Sequence, residues 1–113
     1  MTDRENTVAG AIVVGISREL DEDYVEMWKL SRHIRDKWPE ATGREVWSVA
    51  RIVLTMLVEA GSRLGDIVWE TGEFRPWPPD GAVDRAMDAW DRLGREPNMG
   101  DIGWLDKPAD TPS

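Results

Sequence analysis

The sequence predicts a mainly α fold, four helices with one short β-hairpin, and three observations carry that expectation. Apolar residues recur at three- and four-residue spacing along several long stretches. Proline or glycine closes the clearest of them, at Pro39, Gly61 and Gly94. Only residues 63–77 combine period-two alternation with a turn signal, "ETGEF".

The first element is expected as a helix over 7–19. Val8, Ile12, Ile16 and Leu20 recur every four residues, and the charged "SREL" continues that step. The β-branched "AIVVGI" with Gly10 and Gly15 leaves a strand as the alternative. A second helix is expected over 22–37, capped by Asp21 or Asp23. Tyr24, Met27, Trp28, Ser31, Ile34 and Trp38 form its stripe, and Pro39 ends it because the residue before proline avoids helical geometry.

The third helix, 43–60, opens with "TGRE", a capping box in which the Thr42 hydroxyl takes the Glu45 amide and Glu45 reaches back. Its body is apolar nearly all round, with Arg44, Ser48, Arg51, Thr55 and Glu59 as a narrow polar strip. Such a helix belongs at the centre of the core. Gly61 is its expected C-terminal cap. The hairpin follows over 63–77, then the rigid corner "PWPPDG". A fourth helix, 81–93, is expected with Asp80 as cap and Val83, Ala86, Met87, Trp90 and Leu93 on one face. The remainder reads as mostly extended.

The length fits one domain, expected over 1–105 with a disordered tail over 106–113. The absence of cysteine excludes disulfides, thiolate metal sites and cysteine nucleophiles together. The longest apolar run near the N-terminus, "VAGAIVVGI", falls short of the ~18–20 residues of a membrane span and follows a mixed-charge start rather than a basic one. A cytoplasmic protein without membrane contact is the expectation.

The net charge of −8 is uneven. Residues 27–65 carry seven bases and four acids, a net of +3, whereas 66–113 carry five bases and eleven acids, a net of −6. An acidic total disfavours binding to nucleic acid or anionic membrane and favours a basic partner or simple solubility.

No catalytic, cofactor or metal constellation stands out, so we expect a protein that is not an enzyme. His33, the one histidine, lies in the solvated-looking "RHIRDK". The acids of "DEDYVE" read as helix-start residues favoured by the dipole, without the glycine of a calcium loop. Seven of the nine aromatics are tryptophan. Trp77, between Pro76 and Pro78, must either seal the core or stand as an exposed anchor for a partner. Asp80, Asp84, Asp88 and Asp91 step by four, four and three along one side of the fourth helix, as a solvated face or a surface for a basic groove. The candidate partner-binding residues are therefore Trp77, Asp84, Asp88 and Asp91.

The pentapeptides "GDIVW" (65–69) and "GDIGW" (100–104) are nearly identical, yet the chain does not otherwise match itself at that offset, so this is no tandem repeat. We expect two copies of one turn-to-strand device on one small sheet. A ligand site made by Asp66 with Asp101 is the sharper alternative.

The order of parts, closing with "FRPWPPDG" and "LGREPNMGDIGWL", resembles a loose group of small, acidic, Trp-rich bacterial proteins similar to immunity partners of polymorphic or contact-dependent toxins. That resemblance implies a cytoplasmic inhibitor that occludes the active site of a cognate toxin with a basic cleft, and it assigns no role to any residue. The order helix, helix, longer helix, hairpin also resembles a winged helix. This alternative makes the protein a DNA-binding regulator, with Arg44, Ser48 and Arg51 on the recognition face and "ETGE" as the wing tip. The narrow polar strip and the acidic tip speak against it.

Overall fold

A computed structural model describes residues 3–108. Its elements are α1 (Asp3–Leu20), β1 (Val25–Glu26), α2 (Trp28–Lys37), α3 (Gly43–Glu59), β2 (Arg63–Val68), β3 (Glu73–Pro76), α4 (Ala82–Leu93) and β4 (Trp104–Asp106). The fold is mainly α with a small antiparallel sheet, ordered β1-β4-β2-β3. No helix among the described residues is long and apolar enough to cross a membrane.

The four-step recurrence decides the first element for helix: Val8, Ile12, Ile16 and Leu20 are all buried, and α1 packs chiefly on α3. It extends beyond the expected 7–19 at both ends. α3 is the centre of the core, as its apolar circumference requires, with Val46, Val49, Ala50, Val53, Leu54 and Leu57 fully buried. Both bonds of the Thr42/Glu45 capping box are present, at 3.1 and 2.9 Å. At the other end the chain reverses at Gly61, whose φ is +104°. There the Gly61 amide donates to Val58 O and that of Ser62 to Leu57 O, both at 2.9 Å, so two terminal carbonyls are satisfied.

Four expectations are corrected. The second helix begins at Trp28, because residues 25–27 pair with the C-terminal strand: Val25 lies opposite Leu105, Glu26 opposite Trp104, and the Met27 amide donates to Gly103 O at 2.9 Å. Neither Asp21 nor Asp23 caps α2. Asp23 instead accepts from the amide of Tyr24. Asp80 does not cap α4 either. The cap residue is Gly81 at φ +79°, and it makes no side-chain bond. Lastly, the expected domain end at 105 falls inside β4. Asp106 forms an ion pair with Arg63 across the sheet, and Pro108 rests beside Gly61. Of the expected disordered tail, 109–113 lie outside the described residues.

Candidate binding surface

Side chains alternate across a strand, so register assigns the two faces of the sheet. Leu64, Leu105 and Val25 stand in line across three strands and are buried in the core. The opposite, outer side then carries Ile67 from β2, Phe74 from β3, and Trp104 and Asp106 from β4. Tyr24 stacks on Phe74 with ring centres 5.4 Å apart and planes within 13°. Arg63 lies over the Phe74 ring at 5.4 Å while paired to Asp106. Trp69, just past the end of β2, meets Trp104 edge-on at 6.2 Å and 75°. Trp69 is 75% exposed, the most exposed large apolar side chain among the described residues. The other four are half-buried. The result is one continuous layer of Tyr24, Ile67, Phe74, Trp104 and Trp69 that opens to solvent. Asp21, Glu22 and Asp23, all exposed, precede Tyr24, and exposed Glu70 and Glu73 flank the hairpin turn beside Trp69.

Glu26 also lies on the outer side, opposite Trp104, but it is 5% exposed. Its carboxylate accepts the Gly100 amide at 2.9 Å and so ties the loop after α4 to the sheet. Asp101 orders that loop. It accepts from Arg95 Nη1 at 2.8 Å and from the Asn98 amide at 2.7 Å. The bond from Arg95 first, then that from Asn98, holds its carboxyl below the usual value. Arg35 makes a second anchor, with paired bonds to Glu96 at 3.1 and 3.2 Å and a further bond to Ala41 O.

The repeated pentapeptides pair at a single position in the sheet, with Gly65 opposite Trp104. They are not two copies of one device. Gly65 sits inside β2, where an added Cβ would strike the Arg75 carbonyl, whereas Gly100 takes φ +83° in a turn. Asp66 receives the Trp77 indole N–H at 2.8 Å, and Asp101 orders its own loop, so the two carboxylates do not converge on a shared site.

Of the residues expected to bind a partner, Trp77 is corrected. It is 8% exposed and seals the core. The flanking prolines keep the chain extended, and the Trp77 amide continues the ladder to Leu64 O at 2.8 Å. That register sends the indole inward over Gly103, where an added Cβ would lie 2.9 Å from the ring. Arg85 covers the ring at 4.2 Å. Asp84, Asp88 and Asp91 are exposed as expected, but α3 answers two of them: Arg51 pairs with Asp84, and Arg44 approaches Asp91 at 3.9 Å. The same two arginines flank Trp47, whose indole donates to Met87 O at 3.2 Å. This seam holds α4 against the strip of α3 that a winged helix would turn to DNA. Beside it, a cleft of about 410 Å³ is lined by Arg44, Trp47, Trp90 and Arg95. His33 pairs with Glu19 at 3.0 Å, linking α2 to α1.

The composition of the sequence drew attention to tryptophan as a class and missed the outer layer. The available signal was the repeat: both pentapeptides end in Trp, and those two residues, Trp69 and Trp104, are the ones that meet.

Fold and surface together define a helical domain whose small sheet presents aromatic side chains to solvent between acidic margins. Comparison with protein-family models, curated proteins and solved structures returned no match to this chain.

Proposed function

We propose that this chain is a binding protein rather than an enzyme, and that it neutralises a cognate bacterial toxin domain in the cytoplasm by covering its active site. The observation that carries the binding part is the open aromatic layer of the sheet, with Trp69 at its most exposed point. Exposed, rigidly mounted tryptophan is favoured at the energetic centre of protein interfaces, where it contributes large apolar area for little ordering cost. The acidic margins and the net charge of −8 support a basic partner, since opposed fields speed encounter and exclude acidic competitors. The toxin as partner rests on the resemblance of "LGREPNMGDIGWL" and its neighbours to immunity proteins. Of the α4 carboxylates, Asp88 is the one left unpaired among the described residues, while Asp84 and Asp91 would have to release an arginine to serve the partner.

The DNA-binding alternative has less support. The arginines it would use are engaged by α4 and by Trp47.

The test is co-expression with the product of the neighbouring gene, which this reading makes the toxin. The wild type should restore growth and co-purify with the toxin domain. Trp69→Ala should weaken the complex by about 2 kcal/mol or more, chiefly through faster dissociation. Failure both to rescue growth and to form a stable complex would refute the reading.

A further inference from the structure

The chain covers most of its own tryptophan rings with guanidinium groups. Arg32 lies over Trp28 at 5.8 Å, Arg4 over Trp38 at 4.6 Å, Arg44 over Trp47 at 4.6 Å and Arg85 over Trp77 at 4.2 Å. Trp90, without such a cover, is 5% exposed and needs none. Among the described residues, Trp69 and Trp104 alone combine accessibility with an uncovered ring. Their planes stand at 75°, so two π surfaces meet at a corner. Arg63 is engaged by Asp106 and Phe74 and Arg95 by Asp101, while Arg75, opposite Asp66, takes the other side of β3 from Phe74. Glu70 follows Trp69 in the same turn, whereas Glu73, which begins the next strand opposite Val68, takes the other side of the sheet from Phe74. Both are exposed, and neither has an ion-pair partner among the described residues. The corner therefore offers electron-rich faces beside the unpaired carboxylate of Glu70, and lacks the cation that lies over Trp28, Trp38, Trp47 and Trp77.

We infer that the Trp69–Trp104 corner receives an arginine side chain of the partner protein. A guanidinium stacks on one indole face and directs its N–H groups to Glu70, a geometry that a lysine ammonium reproduces only as a point charge. This rests on the reading of the outer sheet face as an interface and specifies the chemistry of its central contact.

The experiment uses isotope-labelled protein and follows the indole N–H signals during titration with a short blocked peptide carrying one central arginine. Peptides with lysine and with glutamate at that position serve as comparison. The Trp69 and Trp104 signals should move with the arginine peptide, less with lysine and not with glutamate, while the other indole signals stay in place. In Trp69→Leu, the affinity reported by Trp104 should fall about three- to thirtyfold, the range a cation–π contact supplies. Trp69 is 75% exposed, so the variant should keep its melting temperature. Unmoved Trp69 and Trp104 signals, or equal movement with the glutamate peptide, would overturn the inference. Toxin neutralisation by the wild type alongside a silent titration would remove the arginine contact and leave the binding-face proposal standing.

Discussion

Trp77 and Asp66 are joined by a 2.8 Å hydrogen bond from indole Nε1 to a carboxylate oxygen, across the β2–β3 pair and beneath the backbone of Gly103. The bond lets a large side chain be buried without stranding its one donor. Trp77→Ala should lower unfolding free energy by about 3–5 kcal/mol in urea titration, as for other buried aromatics. Trp69→Ala should stay within ~0.5 kcal/mol in the same measurement. Comparable losses for the two variants would contradict the placement of Trp77 inside and Trp69 outside.

Glycines give a prediction with opposite signs at different sites. A Cβ at Gly65 would collide with the Arg75 carbonyl, and both are backbone, so no side chain can move aside. Gly65→Ala should destabilise by roughly 1–3 kcal/mol. Gly10 and Gly15 lie within α1 and have nothing within 4 Å of an added Cβ. Alanine at each should stabilise by roughly 0.5–1 kcal/mol. Thermal melts of the three variants test both signs at once.

How much of this was readable beforehand depended on where the deciding contact lies in the chain. The cap of α3 is written within four residues, Thr42 to Glu45, and was legible. So were the stripes of α1 and α3, because a helix shows its buried face in its own spacing. β1 was not legible. Residues 25–27 carry a good helical pattern, and what pulls them extended is Gly103 to Leu105 at the far end of the sequence. Trp77 shows the same limit: its two prolines ruled out a helix, but only the position of Gly103 and Asp66 decides which way the indole turns.

The seam between α3 and α4 separates packing from charge. Met87 is fully buried there, and Met87→Ala should cost about 2–5 kcal/mol. Asp84 has a side chain 64% exposed despite its pairing with Arg51, so Asp84→Ala should cost less than about 1 kcal/mol. If charge rather than packing held α4 in place, the order of the two variants in chemical denaturation would be reversed.

Asp101 ties the loop after α4 to pH. Its folded-state pKa lies below the ordinary value near 3.8. A depressed carboxyl contributes stability that is fully present above its unfolded pKa and is lost as pH falls through the folded value. Between pH 7 and 5 the loop should therefore hold constant protection of its amides from hydrogen exchange. Below about pH 4 the Asn98 amide, which donates to Asp101, should lose protection. Asp101→Asn should remove much of that acid sensitivity, and a loop equally acid-labile in the variant would assign the effect to another group.

The position of β4 has a consequence for how the chain is made. It lies between β1 and β2, yet it follows every other element in order. During synthesis the three helices ahead of Gly61 can pack as they emerge. The β2–β3 hairpin can form too, but it presents an unpaired edge at β2, and Val25–Glu26 waits without a neighbour. Residues 104–106 arrive last and join both sides in one step. A nascent chain stalled before them exposes open backbone beside uncovered aromatic rings, the combination most prone to pairing with another copy of itself. Completion of the sheet is thus also the event that retires the molecule's most adhesive edge.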